Sequence, residues 1–377
     1  MNCPKCGKEN PNGSKVCQFC NWNLEQVTSI VDSINIRTSW LAIASLLFGI
    51  LSLVCLPFTS SWLWVLGALS FPVGMIAMIL GITSTIRIDR SGGRLTGTGF
   101  AIIGMVTSVF AFLGVVPIAM QRMGRISYQA VCRSNLSGIG KAMLIYTNDY
   151  DEKLPRAGGP DSRWTGRIPN WLADNRCNAY GLSDGNGEVS ISSSFYLLVK
   201  YTETVPKTFV CKNDSGTREF KPLYYGVEKI EITKFWDFGP EPEKYCSYTY
   251  HNPYGRYALN MQCDPNIPVA ADRNPWMNTP YIKARDFSLF RWNGDIQQQK
   301  AGNSIVHRGE GQNVLFLDGH VFFEKRPYCG INGDNIYTFW SGPNIQQGSP
   351  PKIGSQPADS LDSLLVHDGD GNAKSRP

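Results

Sequence analysis

The chain has 377 residues, which is long enough for two or three domains. Its formal net charge is only +5, and no run of five lysines and arginines occurs, so the sequence predicts no polyanion-binding tail and no nucleic-acid partner. Apolar residues are concentrated between positions 39 and 120, whereas residues 150–377 are polar and rich in glycine, proline and asparagine. The apolar part is therefore expected to lie in lipid and the polar part in water.

Two Cys-x2-Cys pairs lie in the first twenty residues. Each pair can place two thiolates on one metal ion from a tight turn, and two such pairs complete a closed tetrahedral zinc shell. The sequence predicts a structural zinc ribbon over residues 1–24, whose ligands are Cys3, Cys6, Cys17 and Cys20. Gly7 and Asn21 are expected to supply positive φ angles just after the pairs. The stretch resembles the short zinc ribbons at the start of many bacterial membrane proteins; a catalytic zinc and nucleic-acid binding are the weaker alternatives.

A linker over residues 25–38 leads to three uncharged apolar segments, each about long enough to span a hydrocarbon core: 39–58, 62–86 and 98–120. They predict a three-helix transmembrane module over residues 39–120 and not a cleaved signal peptide. In the second segment, small residues recur at spacings that let a neighbouring helix approach closely: Gly67, Ser70, Gly74, Ala77 and Gly81. The block resembles small bacterial multi-span modules that have no assigned chemistry. No ionisable residue lies inside a segment, so the sequence does not indicate a transporter.

The charged loop at 87–94 carries three arginines, whereas the loop after the first segment is uncharged. The positive-inside rule then predicts a multi-pass protein of the bacterial inner membrane, with a cytoplasmic N-terminus and a periplasmic or extracellular C-terminal domain. Arg122 and Arg125, after the third segment, are a mild exception. Six cysteines in an exported domain can pair as disulfides, in a connectivity that the sequence leaves open: Cys132, Cys177, Cys211, Cys246, Cys263 and Cys329.

A helix over about residues 121–150 is predicted to continue from the third segment. Its apolar residues recur at helical steps: Tyr128, Val131, Leu136, Ile139, Met143, Tyr146 and Tyr150. Within this helix, a cysteine is followed by the triplet SNL and then by the pair IG. Four further motifs follow later in the chain: KTFVCKND, SYTYHNPYGRYALN, PVAADRN and HRGEGQNVLFLDGH. In this order they resemble pilin-like ectodomains related to type II secretion pseudopilins, with the prepilin-associated H-x9-DG segment at the end.

The resemblance implies an α+β pilin-like domain over residues 121–340, with a long N-terminal helix on a small antiparallel sheet. Ten residues, not nine, separate His307 from Asp318, so the segment before the hairpin is one residue longer than in the family. The glutamate near the start of a prepilin's mature helix is absent from the third apolar segment. We therefore expect a domain that stays anchored in the membrane and is not extracted into a pilus.

The pair Asp318-Gly319 lies between two β-rich runs and predicts a two-residue hairpin turn with positive φ at both positions. Val314, Phe316, Val321 and Phe323 are expected to form one buried face of the sheet. His307 and His320 are interpreted as structural or surface residues. No nucleophile or metal-binding partner motif accompanies them, so no catalytic residues are predicted and the protein is expected not to be an enzyme.

Two Asp-rich loops, at 183–188 and 367–372, are candidate calcium sites, although neither has EF-hand spacing and solvated turns are the simpler interpretation. Residues 341–377 are rich in proline, glycine and serine and predict a disordered tail.

As a whole, the sequence favours a non-enzymatic envelope scaffold or a component of a secretion- or pilus-like assembly, with other pilin-like or secretion proteins as partners. The alternative is a transmembrane sensor that couples an external ligand, of unknown identity, to a cytoplasmic partner through the ribbon.

Overall fold

The computed structural model describes residues 2–3, 5–24, 37–55, 69–183 and 185–369. The chain divides into two compact units, Met1–Gly124 and Arg125–Pro377. Most of the predicted linker, and the first seven residues of the second predicted span, lie outside the described residues.

The described part of the first unit contains the cysteine ribbon and three helices. These helices are α1 (Trp40–Cys55), α2 (Ser70–Arg90) and the beginning of α3 (Thr98–Asp149). A short parallel pair, β1 (Arg37–Thr38) and β2 (Leu95–Thr96), precedes α1 and α3.

Small side chains form the contacts between these helices. A Cβ atom added to Gly81 would lie 2.5 Å from Cγ of Met105, and one added to Gly104 would lie 2.5 Å from the carbonyl oxygen of Ser45. A larger residue at either position would push the helices apart. The buried positions described in Trp40–Cys55, Ser70–Arg90 and Thr98–Gly114 are all alanine, glycine or serine: Ala42, Ser45, Gly49, Ser52, Ser70, Gly74, Ala77, Gly81, Ser84, Ala101, Gly104, Ser108 and Ala111. The predicted small-residue face of the second segment is confirmed, except for Gly67, which lies outside the described residues.

Large apolar side chains of the same helices are exposed, among them Leu47, Val54, Ile79, Ile82, Phe110 and Leu113. Among the described residues, α2 is the one helix that is long and apolar enough to cross a membrane. The helix α1 and the apolar beginning of α3, Thr98–Gly114, are shorter. One apolar helix alone is weak support for a membrane protein, and the structure does not by itself establish the three predicted spans.

The second unit is a mixed α/β domain, as predicted, built around a five-stranded antiparallel sheet. The strand order is β8-β7-β6-β5-β9, with β5 (Tyr248–His251), β6 (Pro268–Asp272), β7 (Gln312–Phe316), β8 (Val321–Glu324) and β9 (Leu365–Val366). The remaining helices and a parallel strand pair precede or interrupt the sheet in sequence: β3 (Arg163–Trp164), α4 (Arg176–Tyr180), β4 (Glu188–Val189), α5 (Ile191–Tyr201) and α6 (Ile296–Lys300).

The C-terminal part of α3 packs on one face of this sheet. Its buried residues Leu136, Ile139 and Met143 belong to the same apolar cluster as Leu315 of β7. A Cβ atom added to Gly140 would lie 2.7 Å from Cδ1 of Leu315, so glycine permits the close approach of helix and sheet. The predicted apolar face of the helix is therefore confirmed at its centre, but Tyr128 is exposed and does not belong to the core.

The predicted hairpin joins β7 and β8, but its turn differs from the prediction. Leu315 pairs with Val321, and the amide of Phe316 donates to the carbonyl of His320. Only Gly319 of the Asp-Gly pair has a positive φ, at 88°. The turn is therefore a three-residue loop that ends in a left-handed glycine, a known alternative to the two-residue turn.

The sheet is buried on both faces, whereas the sequence predicted only one buried face. Val314 and Phe316 belong to a second apolar cluster, on the face opposite to Leu315. The second cluster also contains Ile336 and Leu365. Every residue of β7 is buried, whereas Phe323 is only half-buried.

The predicted disordered tail is folded as far as residue 369. Leu365 pairs with His251, so β9 forms one edge of the sheet. Leu364, Leu365 and Val366 are fully buried, because this edge position places them in the two apolar clusters. Residues 370–377 lie outside the described residues.

Candidate metal centre and a buried histidine cluster

The two halves of the cysteine ribbon fold in the same way. The amide of Gly7 donates to the carbonyl of Cys3 at 2.8 Å, and the amide of Asn21 donates to that of Cys17 at 2.9 Å. Gly7 has a φ of 69° and Asn21 a φ of 55°, so the predicted positive φ angles are confirmed. Each turn folds the chain so that both thiols of a Cys-x2-Cys pair face the same point.

The four thiols converge on one position. The Sγ atoms of Cys3 and Cys20 are 3.6 Å apart, and so are those of Cys6 and Cys17. All four Sγ atoms lie within 4.8 Å of one another. Zinc–sulfur bonds of about 2.3 Å in a tetrahedron place neighbouring sulfurs about 3.8 Å apart. The cluster therefore fits a zinc ion with four thiolate ligands and no open coordination position.

Asn10 supports this cluster, although nothing in the spacing of the cysteines points to it. Its side-chain amide donates to Sγ of Cys17 at 3.4 Å, and its carbonyl oxygen accepts the amide of Gln18 at 2.9 Å. Desolvation raises the pKa of the Cys17 thiol, but hydrogen bonds from the amides of Phe19 and Cys20 and from Asn10 outweigh it, and the resulting pKa is about 6. The thiolate is the form that binds metal, so the ribbon favours the binding form at this position.

A second polar cluster lies in the core of the second unit, around His307. This histidine is 6% exposed. Its Nδ1 atom is 2.9 Å from the side-chain amide nitrogen of Asn213, and its Nε2 atom is 3.2 Å from Oδ2 of Asp272. Asn313 donates to Oδ2 of Asp272 through both its backbone amide, at 2.6 Å, and its side chain, at 3.1 Å. His307 is therefore a buried structural residue and does not lie on the surface, whereas His320 is half-exposed at the hairpin.

A disulfide between Cys132 and Cys211 lies beside this histidine cluster and connects α3 to the segment before Asn213. Asn135, one turn after Cys132, donates to the carbonyl of Val210 at 2.9 Å and so holds the partner segment in place. Of the six cysteines predicted to pair, only these two form a disulfide. The others are free, with Cys177 on the surface and Cys246, Cys263 and Cys329 at least partly buried.

A buried ion pair completes the cluster. Arg273 follows Asp272 directly, and its Nε atom donates to Oδ2 of Asp214 at 2.6 Å. The arginine side chain is fully buried and the aspartate side chain is 3% exposed. Arg273 also donates to Thr217 and to the carbonyl of Glu243, which satisfies most of its donors.

Four sequence motifs therefore meet at one place. Cys132 and Asn135 come from the SNL region, Cys211 and Asn213 from KTFVCKND, and Asp272 from PVAADRN. His307 and Asn313 come from the stretch before the hairpin. The order of the motifs in the sequence gave no sign that these residues are neighbours, because their strands and loops come together only in the folded sheet.

The predicted calcium sites find no support. Asp368, in the second Asp-rich loop, is buried and accepts the amides of Ile191 and Ser192 at the start of α5, at 2.8 and 2.7 Å. It therefore caps a helix. Asp184 of the first loop and residues 370–372 of the second lie outside the described residues.

Comparisons with protein-family models, curated proteins and solved structures gave no match to this chain. The resemblance to pilin-like ectodomains consequently has no support from these comparisons and stays a prediction from the motifs.

Proposed function

We propose that the protein is an envelope protein anchored in the bacterial inner membrane by α1, α2 and the beginning of α3. The observation that supports this most is the packing of the three helices, which is the reverse of the packing in a water-soluble protein. Their contacts use glycine, alanine and serine, while leucine, isoleucine and phenylalanine are exposed. In water such a surface would be strongly unfavourable, whereas lipid chains are as apolar as leucine and helix contacts there rely on small residues.

The two kinds of cysteine site support an orientation. A four-thiolate cluster needs a reducing compartment, and a disulfide persists in an oxidising one. The ribbon cluster and the Cys132–Cys211 disulfide lie on opposite sides of the apolar helices in sequence. Together with the three arginines at positions 87, 90 and 94, this favours a cytoplasmic ribbon and an exported second unit.

We infer that the exported unit acts as a pilin-like scaffold without catalytic activity. A long helix on an antiparallel sheet agrees with that resemblance. The motif residues form a closed, buried network: His307 is 6% exposed, and Asp272 and Arg273 are fully buried. Such residues hold the fold together, and a substrate in solution has no direct access to them. The partners that this proposal implies are other pilin-like or secretion-system proteins.

Crosslinking in intact cells, followed by mass spectrometry, tests the scaffold function. We expect the second unit to crosslink to the same pilin-like or secretion-type subunits under all growth conditions, and the ribbon contacts to stay constant. Ribbon crosslinks that change with an external ligand would contradict the scaffold and favour a transmembrane sensor. The control is a chain with Cys132→Ser and Cys211→Ser, in which the crosslinks of the second unit should decrease if they need the folded domain.

A further inference from the structure

The disulfide and the histidine cluster together contain a complete set of metal ligands. The Sγ atoms of Cys132 and Cys211, one nitrogen of His307 and one carboxylate oxygen of Asp272 lie within 4.8 Å of one another. All four residues are buried. Two thiolates, an imidazole and a carboxylate are a combination of ligands that zinc accepts in a tetrahedral site.

The carboxylate of Asp272 is an independent sign of a missing partner. The residue is fully buried, and its Oδ1 atom has no hydrogen-bond partner within the described part of the chain. A neutral disulfide beside it offers no hydrogen-bond donor. Buried carboxylates normally bond at both oxygens or bind a cation, because an unpaired oxygen has a large desolvation cost.

We propose that Cys132, Cys211, Asp272 and His307 form a second zinc site, which the disulfide closes and reduction opens. Reduction adds two electrons and two protons and converts the disulfide into two thiols. With a phosphine as the reductant, the phosphine becomes a phosphine oxide, and water supplies the oxygen and both protons. Zinc then displaces the two thiol protons and binds both thiolates, the carboxylate and the neutral imidazole.

The geometry needs only local side-chain movement. Neighbouring ligand atoms around zinc are about 3.3–3.8 Å apart when the bonds are about 2.0–2.3 Å long. The reduced sulfurs would separate to the spacing that the ribbon thiols already have, 3.6 Å. Asn313, at Oδ2 of Asp272, is placed to orient the carboxylate. When Nε2 of His307 binds the metal, Nδ1 carries the proton, so the side-chain amide of Asn213 would turn to accept that proton through its oxygen.

The zinc site itself goes beyond the proposed scaffold function and does not depend on it, whereas its role in two compartments rests on the proposed export of the second unit. Either the disulfide or a zinc ion would connect α3, the segment at Cys211 and the sheet. The same residues could therefore stabilise the domain in a reducing compartment before export and in an oxidising one afterwards.

The test uses the full chain in detergent, purified with zinc and without reductant. We expect one zinc per chain, in the ribbon. After reduction with the phosphine, incubation with zinc and removal of excess metal, we expect two. His307→Gln and Asp272→Asn should each reduce the count after reduction to one, while Cys177→Ser, which removes an exposed free thiol, should leave it at two. One zinc in the reduced wild type, or a second zinc that depends on Cys177, would overturn the proposal.

If a variant fails to fold, the absorption spectrum of the wild-type protein loaded with cobalt still tests the proposed ligands. The reduced wild type loaded with two Co²⁺ ions should show a second set of d–d bands, with about half the sulfur-to-cobalt charge-transfer intensity of the four-sulfur ribbon site, because only two thiolates bind. A second ion with the spectrum of a four-sulfur site, or with no sulfur charge transfer, would contradict the proposed ligands.

Discussion

The substitution Cys17→Ser is expected to abolish zinc binding in the ribbon and to unfold residues 5–24, while the second unit stays folded. The binding free energy of a structural zinc, about 10–16 kcal/mol in small peptides, also stabilises the fold of so small a module. Among the described residues of the ribbon, Leu24 is the one member of the apolar cluster that is not a cysteine, so little else there can stabilise it. Zinc content per chain and protease resistance of the ribbon, both without reductant, measure the effect.

The control for this experiment is Cys263→Ser, which also removes one free thiol but lies in the second unit. It should retain one zinc and a protease-resistant ribbon. Tight binding of one zinc by the Cys17→Ser variant would show that the four-cysteine site is wrong.

Arg273→Met is expected to destabilise the second unit by about 3–5 kcal/mol, because it leaves the Asp214 carboxylate buried without its cation. The two side chains are 0% and 3% exposed, and their atoms are 2.6 Å apart. Adding Asp214→Leu should recover a large part of the loss, since two apolar residues need no partner. Urea unfolding of the full chain in detergent, followed by pulse proteolysis of the second unit, measures the differences.

A surface ion pair provides the matched control. Lys300 and Glu310 are 2.8 Å apart, but their side chains are 33% and 66% exposed. Lys300→Met should cost less than about 1 kcal/mol, because solvent screens an exposed pair. Equal effects of Arg273→Met and Lys300→Met would contradict the role assigned to the buried pair.

Local patterns in the sequence predicted the local structures. The spacing of the ribbon cysteines defines two tight turns, and Gly7 and Asn21 adopt the expected positive φ angles. The helical period of apolar residues predicted the helix that ends at Asp149. In both cases the residues that determine the structure are within a few positions of one another.

Structures formed by distant residues could not be predicted in the same way. Six cysteines allow 15 fully paired connectivities, and the structure pairs only Cys132 with Cys211. The contact between His307 and Asp272 depends on which loops and strands of the sheet are neighbours, and a strand pattern does not contain that information. Composition also misled the prediction for residues 341–369, because the short apolar run that forms β9 outweighs the proline and glycine around it.

The orientation of the chain in the membrane is the central claim, and thiol labelling of intact spheroplasts tests it most directly. Two exposed reporters are needed: the native free Cys177 in the second unit, and Asn12→Cys in the loop between the two ribbon turns. We expect a membrane-impermeant maleimide to label Cys177 in intact spheroplasts, and to label the cysteine at position 12 only after the membrane is permeabilised. Labelling of position 12 in intact spheroplasts, or protection of Cys177 until permeabilisation, would contradict the orientation.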